Sequence, residues 1–237
     1  MPESLAARLD RRCYPNLCDN WDNQLFREEI VKRLRPGMTL LDIGAGAGII
    51  PQMNFKGMAG TVHGLDPDPV VKTNPWLDHA VVGNGEKMPM FWDGQFDVVV
   101  CCNVLEHVAA PLALFSEVRR ILKKGGWFLA KTTNRYHYVS LLAQATPLWF
   151  HQTVNRLRGQ TETDNFPTFF RANTRRKQRA LADQAGLKVI SMNAYEGRPE
   201  YLRWNAFTYL PGILYERLVN WSHFHAAKLL LISVFQA

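Results

Sequence analysis

The sequence has 237 residues, 47% of them hydrophobic and 21% charged, which excludes a disordered chain and a small domain that needs disulfides or a structural metal. It has no apolar run of the roughly eighteen residues that a membrane-spanning helix needs. The net charge of +7 comes from residues 135–237, which hold 13 Lys and Arg against 6 Asp and Glu, whereas residues 1–134 hold 15 of each. The N-terminal segment has no apolar centre and the four cysteines have no metal-binding spacing, so we expect reduced thiols and a cytoplasmic location.

Short apolar segments alternate with segments of helical periodicity along the chain. Residues 22–35 are predicted to form a helix, and residues 49–55 and 111–123 two more, the last closed by the cations and glycines of residues 123–126. The predicted strands are residues 38–43, 61–65, 79–82, 96–102, 127–132, 187–194 and 228–235. Because such strands are apolar on both faces, the sequence predicts an α/β fold with a doubly wound, mostly parallel seven-stranded sheet.

The C-terminal part departs from this alternation. Residues 135–173 have no clear periodicity, so we expect helical and loop insertions there. Residues 174–185 are predicted to form a helix with Thr174 as its N-cap and Gly186 as its stop.

The segment LLDIGAGAG, residues 40–48, carries an apolar strand into a loop rich in glycine. Glycines here let the backbone turn sharply and approach a ligand without an intervening Cβ. Asp66 ends the next predicted strand, where a carboxylate can accept both hydroxyls of a ribose. A dinucleotide fingerprint needs Gly or Ala where this chain has Ile49, and Asp42 would repel a pyrophosphate but pair with a cation. The pattern therefore favours the amino-acid end of S-adenosylmethionine over a nicotinamide dinucleotide.

With these motifs the sequence resembles the class I S-adenosylmethionine-dependent methyltransferases, and specifically the type 11 methyltransferase family. The resemblance covers residues 36–134 and is carried by LLDIGAGAG, HGLDPD, GNGEKMP, FDVVVCCNVLEHV and ILKKGGWFLAKTTN. It implies a Rossmann-like methyltransferase fold with S-adenosylmethionine as cofactor. The single domain that we expect has a helical cap (1–36), a cofactor-binding core (37–134) and an acceptor or lid region that includes the final strands (135–237).

The resemblance also implies which residues contact the cofactor. The glycine loop cradles its methionine and ribose parts, Asp66 holds the ribose, Asn84 and Gly85 meet the adenine, and Asn103 and Val104 line the methionine side. The full predicted set is Asp42, Gly44, Ala45, Gly46, Gly48, Asp66, Pro67, Asn84, Gly85, Asn103 and Val104. The family usually has Asp at the position of Asn84, whose amide oxygen can still accept from the adenine amino group, without the charge.

His107 follows the fourth predicted strand, at the sheet edge where ligands bind in open α/β folds. It is our candidate for a general base, which a hydroxyl acceptor requires. Two alternatives stay open: a metal site shared with Glu106, by similarity to the quinone O-methyltransferases of this broad family, or a structural role in which both residues cap and solvate the turn. We predict no metal site.

Aromatic and basic residues outside the cofactor motifs suggest an acceptor site. Arg135, Tyr136, His137 and Tyr138 follow the fifth predicted strand and are interpreted either as one wall of an acceptor pocket or as ordinary packing residues. Arg171 precedes a helix that begins with clustered cations, at the end whose dipole disfavours them. The cations of that helix are Arg175, Arg176, Lys177 and Arg179. An anionic ligand or an acidic surface could offset this charge; the alternative is a hydrated outer face.

An aromatic insertion, residues 199–227, lies between the last two predicted strands. Its aromatic residues include Trp204, Phe207, Tyr209, Tyr215, Trp221 and Phe224. The insertion is interpreted as a lid over the acceptor, as a surface that rests on a membrane or a partner subunit, or as packing against the core.

These patterns predict methyl transfer to a small-molecule acceptor, through oxygen or nitrogen, with an anionic or aromatic acceptor. Nucleic-acid methylation is an alternative that the basic composition suggests, but the fourth strand leads into NVLEH rather than an Asn/Asp-Pro-Pro-aromatic motif. A non-catalytic scaffold that binds a partner or membrane is another, although it would not need the glycine loop and Asp66. The sequence does not decide the oligomeric state.

Overall fold

The computed structural model describes residues 5–15, 19–145, 167–203, 205–221 and 224–237. Seven strands form one sheet. The strands are β1 (Thr39–Ile43), β2 (Thr61–Asp66), β3 (His79–Val82), β4 (Phe96–Cys102), β5 (Leu122–Thr133), β6 (Lys188–Tyr195) and β7 (Leu230–Gln236). The described α-helices are α1 (Leu5–Cys13), α2 (Trp21–Val31), α3 (Pro111–Ile121), α4 (Tyr138–Ala145), α5 (Arg175–Ala185) and α6 (Ala206–Trp221).

The strands lie in the order β3-β2-β1-β4-β5-β7-β6. Strands β1 to β5 run parallel, and β7 runs antiparallel between β5 and β6. The chain moves outward from β1 to β3 on one side and then crosses to β4 on the other. The carboxyl ends of β1 and β4 therefore flank the point at which the strand order reverses, where open α/β sheets bind ligands. The predicted mostly parallel seven-stranded α/β sheet is confirmed.

Each face of the sheet has its own apolar core, because successive residues of a strand point to opposite faces. On one face, Leu41 and Val99 pack in a cluster with side chains of α3 and α5. On the other face, Leu40 and Val98 pack in a cluster with side chains of α2. Both faces of the central strands are thus covered, and the functional groups of these strands can reach solvent only at the strand ends.

The predicted helix at residues 49–55 is wrong. Only Pro51–Met53 make a turn of 3-10 helix there. Ile50 is extended, with φ −97° and ψ 100°, because the ring of the following proline disfavours a helical conformation at the preceding residue. The glycine loop therefore leads into an extended segment rather than directly into an α-helix.

The predicted boundary between α3 and β5 is also wrong. The helix ends at Ile121 and the strand begins at Leu122, so residues 123–126 lie within β5 rather than closing the helix. The Gly125 N–H donates to the carbonyl of Ala237, and the Ala237 N–H donates to the carbonyl of Gly126. This pairing with the end of the chain is a long-range contact that local periodicity does not report.

Helix α5 agrees with the sequence prediction. Thr174 Oγ1 accepts the Lys177 N–H at 3.2 Å, and Gly186 ends the helix with φ 74°. Of the two predicted insertions, residues 135–173 contain α4, with residues 146–166 outside the described residues, and residues 199–227 contain α6. None of the helices described is long and apolar enough to cross a membrane.

Candidate active site

The glycine loop leaves β1 at the point where the strand order reverses. Gly44, Gly46 and Gly48 have φ values of 80°, 50° and 75°, the left-handed region that glycine adopts without a steric cost. The Gly44 N–H donates to the carbonyl of Leu65 at 2.7 Å, so the loop is fastened to the end of β2. These conformations explain the glycines at alternate positions.

Asp66 braces this loop with its buried carboxylate. Oδ2 accepts the Gly46 N–H at 2.9 Å, and Oδ1 accepts the Asp68 N–H at 2.9 Å. Each carboxylate oxygen has a second lone pair, so both can still accept a hydroxyl. The carboxylate is therefore held beside the loop in a position suited to a ribose, and exposed Pro67 follows it directly.

Asn74 is a loop-holding residue that the sequence analysis missed. Its buried side-chain amide donates to the carbonyls of Ala45 and Gly46, at 3.0 and 3.3 Å. A Cβ at Gly48 would lie 2.5 Å from Asn74 Oδ1, so glycine is required there for space as well as for conformation. Asn74 lies 26 residues after Gly48, and no local pattern marks it.

The turn after β4 closes the loop from the other side. A Cβ at Gly44 would lie 2.2 Å from Val104 Cγ2, so this valine packs directly on the loop backbone. Asn103 has φ 55°, and its N–H donates to the carbonyl of Lys131 at 2.8 Å. Asparagine tolerates this left-handed conformation better than most residues. The structure thus brings Val104 to the loop, with Asn103 directly before it.

Asn84 and Gly85 lie on the connection that follows β3. The Asn84 side chain is exposed, and its amide oxygen accepts the Glu86 N–H at 2.9 Å. A Cβ at Gly85 would lie 2.7 Å from Leu114 and 3.1 Å from Ile43, so this glycine packs against the last residue of β1. Both residues therefore stand near the start of the glycine loop.

Asp42 is the most unusual group of the site. It is buried in β1, and its Oδ1 has no hydrogen-bond partner among the described residues. Burial, and then the negative charge of Asp66, raises the pKa of Asp42 to about 8. A buried carboxyl without a partner is costly for folding. The cost is offset when a cation binds beside it, and the ammonium of the S-adenosylmethionine amino-acid end is such a cation.

The side chains of Glu106 and His107, which follow β4, lie in different environments. Glu106 is buried, where it accepts the Thr132 hydroxyl at 2.5 Å, and burial raises its pKa. It therefore does not solvate the turn. His107 is partly exposed, with Nδ1 at 3.2 Å from the carbonyl of Pro167. Across the described ranges, no group of three or more His, Cys, Asp or Glu is arranged to hold a metal ion.

A cleft of about 510 Å³ has Ala109, two residues after His107, in its lining, and we call it the basic cleft. Its walls are residues 109–112 at the start of α3, residues 135–136 after β5, and residues 170–184 of α5 and its approach. Of the predicted acceptor residues, Arg135, Tyr136 and Arg171 line it.

His137 and Tyr138, the other two residues of this predicted group, do not line the basic cleft. His137 is buried, with its ring centroid 4.2 Å from that of Tyr138 and 5.7 Å from that of Tyr215 on α6. Its Nε2 lies 3.4 Å from Glu196 Oε2 without the alignment of a hydrogen bond. These two side chains pack α4 against α6 because the chain turns inward after Tyr136.

The fold and the loop geometry together define a class I S-adenosylmethionine-dependent methyltransferase. A family model described as a methyltransferase domain matches residues 18–192, well over half of the chain. The chain belongs to this methyltransferase family, whose cofactor is S-adenosylmethionine.

Curated relatives include two proteins called ubiquinone biosynthesis O-methyltransferase. The one from Thiobacillus denitrificans is 32% identical over 116 residues, covering 45% of this chain and 49% of that protein. The one from Pseudomonas paraeruginosa is 29% identical over 161 residues, covering 65% of this chain and 66% of that protein. The chain thus spans between about half and two thirds of the length of these relatives.

Solved structures share the fold at low sequence identity. An S-adenosylmethionine-dependent methyltransferase from Mesorhizobium loti superposes with a TM-score of 0.63 at 14% identity, covering 92% of this chain and 99% of that one. One from Methanosarcina mazei has a TM-score of 0.56 at 17% identity, covering 88% and 96%.

Substituting Asp42 tests the fit of the cofactor. In the free protein this carboxyl is protonated below about pH 8. An ammonium beside it favours the ionised form, so binding of S-adenosylhomocysteine at about pH 7 should release a proton and tighten as the pH rises toward 8. Calorimetry in two buffers of different ionisation enthalpy measures the release. We expect Asp42→Asn to abolish it and Asp183→Asn, at an exposed carboxylate on α5, to keep it; equal release in both variants would contradict the assignment.

Asn74→Ala tests the brace on the glycine loop. The change leaves the Ala45 and Gly46 carbonyls without their amide donor, and we expect the affinity for S-adenosylhomocysteine to fall about tenfold, which corresponds to about 1.4 kcal/mol. Asn54→Ala serves as the control. It removes the hydrogen bond that Asn54 Oδ1 accepts from the Lys56 N–H, outside the glycine loop. Unchanged affinity in Asn74→Ala would show that the loop does not need this amide.

Proposed function

We propose that this chain transfers the methyl group of S-adenosylmethionine to a hydroxyl of a small-molecule acceptor. The observation that carries the proposal is the contact between Gly44 and Val104, because it sets the cofactor loop against the turn that holds His107. The names of the two relatives, both O-methyltransferases, support oxygen as the acceptor atom.

The residues of the loop would bind and orient the cofactor. Asp42 would pair with its ammonium, Asp66 would accept the ribose hydroxyls, and Asn84 would accept from the adenine amino group. When bound, the cofactor supplies a sulfonium methyl group that a nucleophile attacks in line. Holding the two reactants in that alignment supplies a large part of such catalysis.

His107 would remove the acceptor proton. A carbonyl only accepts hydrogen bonds, so the contact with Pro167 favours the tautomer with the proton on Nδ1. In the neutral ring Nε2 then carries the lone pair, as a general base requires. An amine acceptor that is already neutral would not need this step, so the base distinguishes oxygen from nitrogen acceptors.

His107→Asn is the test of this function. We expect methyl transfer to a catechol or phenol acceptor, followed as S-adenosylhomocysteine formed, to slow by about 10²–10⁴-fold, with cofactor affinity unchanged. His79→Asn, at an exposed histidine on β3, should leave the rate unchanged. Failure of the wild-type protein to bind S-adenosylhomocysteine would refute the proposed function. Full activity of His107→Asn would refute only the assignment of His107 as the general base.

We also infer that α6 rests on a lipid surface. Its exposed apolar residues recur at helical spacing along one stripe. They are Phe207, Leu210, Leu214, Leu218 and Trp221. Phe207 and Trp221 are 92% and 83% exposed. The charged side chain on the exposed side of this helix is the cation Arg217, which pairs with the buried Glu216 at 3.4 Å. An apolar stripe with a cation and no exposed acid suits an anionic membrane surface. Trp204, which also belongs to this interpretation, lies outside the described residues.

Co-sedimentation with phosphatidylglycerol vesicles tests this contact. We expect the wild-type protein to pellet with them and Phe207→Ser with Trp221→Ser to remain in solution. Trp92→Ser, at an aromatic residue that is 68% exposed elsewhere, is the matched control and should still pellet. If the wild-type protein does not pellet, or if the double variant instead abolishes a dimer, the stripe has another role.

A further inference from the structure

Cations line the basic cleft. They are Arg135, Arg171, Arg176 and Lys177, and none of the other described residues of the lining is Asp or Glu. Within the part of the chain that the structure describes, none of the four forms an ion pair with a carboxylate. The nearby carboxylate of Glu86 accepts the Ala110 N–H at 2.8 Å and lies outside the lining. Among the described residues, no carboxylate therefore compensates the positive charge of the cleft.

These cations come from two separate segments, residues 135–136 and 170–184, and hydrogen bonds hold both segments and the third wall, residues 109–112, together. The Arg135 N–H donates to the carbonyl of Asn173 at 2.9 Å, and the Asn173 amide donates back to the carbonyl of Thr133 at 3.0 Å. Arg171 Nη1 donates to the carbonyl of Ala109 at 2.6 Å. The convergence of the charges is thus built into the fold rather than being an accident of one helix face.

Within the described residues, Arg171 is positioned by neutral groups. Besides the Ala109 carbonyl, its guanidinium lies 5.3 Å from the centre of the Phe169 ring. A guanidinium has five N–H donors in a planar fork that matches the oxygens of a carboxylate or phosphate. The contacts of Arg171 with described residues therefore hold this side chain in place without pairing it with a carboxylate.

The start of α5 adds to the positive electrostatic potential of the cleft. Arg176 and Lys177 lie in the first turn, where the unpaired N–H groups of the helix already favour negative charge and disfavour cations. The fully buried side chain of Asn173 also lines the cleft, and its Oδ1 has no hydrogen-bond partner among the described residues. Cations beside an unpaired acceptor suit a ligand that has both an anionic group and a donor such as a hydroxyl.

We propose that the basic cleft binds an oxyanion of the methyl acceptor, a carboxylate or a phosphate, and so holds the acceptor beside His107. The inference rests on the proposed function and adds the substrate class. The lining begins at Ala109, two residues after His107, and a cleft of about 510 Å³ is large enough for a molecule with one ring. An anchored oxyanion would orient the hydroxyl without taking part in the proton transfer.

The test compares anionic and neutral probes on the protein saturated with S-adenosylhomocysteine. The probes are 3,4-dihydroxybenzoate, its neutral amide 3,4-dihydroxybenzamide, and phenyl phosphate, which separates phosphate from carboxylate recognition. We expect wild-type protein to bind at least one anion about tenfold or more tightly than the amide, and salt to weaken that binding. Equal affinity for all three probes, or no measurable binding of either anion, would overturn the proposal.

Two double variants of α5 distinguish anion binding in the cleft from attraction by the electrostatic field of the whole protein. Arg176→Gln with Lys177→Gln removes two lining cations, and we expect about a tenfold loss of anion affinity with the amide unaffected. Arg175→Gln with Arg179→Gln removes the same charge from the same helix outside the lining and should change anion affinity less than about twofold. Equal losses in both pairs would overturn the cleft assignment. If the wild-type protein does not bind S-adenosylhomocysteine, that result would instead count against the proposed function.

Discussion

The glycine loop, residues 44–48, consists of glycines and alanines, so it has no polar side chain with which to hold its own shape. Three left-handed glycines give it the required path, but they also leave it more conformational freedom in the unfolded chain than any other residues would. The order must therefore come from neighbours: the Leu65 carbonyl, the Asp66 carboxylate and the Asn74 amide each bond to the loop backbone. The proposed cofactor site depends on these bonds, because its other predicted residues would meet the cofactor only where this loop holds it.

Asp42 places a cost on the fold that the function can explain. Its pKa is raised by burial, so ionisation of this carboxyl lowers the stability of the folded state as the pH rises above the ordinary value of an aspartate toward about 8. An apolar residue in β1 would avoid that cost. A carboxyl without a partner next to a ligand loop makes sense when the partner arrives with the ligand, and this is why the group argues for cofactor binding rather than for structure.

The turn after β4 links the cofactor loop to the acceptor side. The backbone carbonyl of Glu106 accepts the N–H groups of Phe169 and Phe170, so the segment that approaches α5 is tied to the residue before His107. The same segment supplies the Pro167 carbonyl to the His107 ring and Arg171 to the basic cleft. One short stretch of chain thus orients the proposed base and forms part of the proposed acceptor site.

Much of this protein was determined by local sequence alone. Short-range patterns set by backbone conformation and burial predicted the sheet and the cofactor class. They are the apolar strands, the glycine spacing and Asp66, and similar patterns at Thr174 and Gly186 predicted the ends of α5. Asn74, the buried Glu106 and the inward turn of His137 were decided only by the tertiary structure, since each depends on contacts between distant segments. The false helix at residues 49–55 failed for a local reason, the proline at 51. The gathering of Arg135, Arg171, Arg176 and Lys177 into one cleft required the fold, because hydropathy and spacing say nothing about which loops meet at a sheet edge.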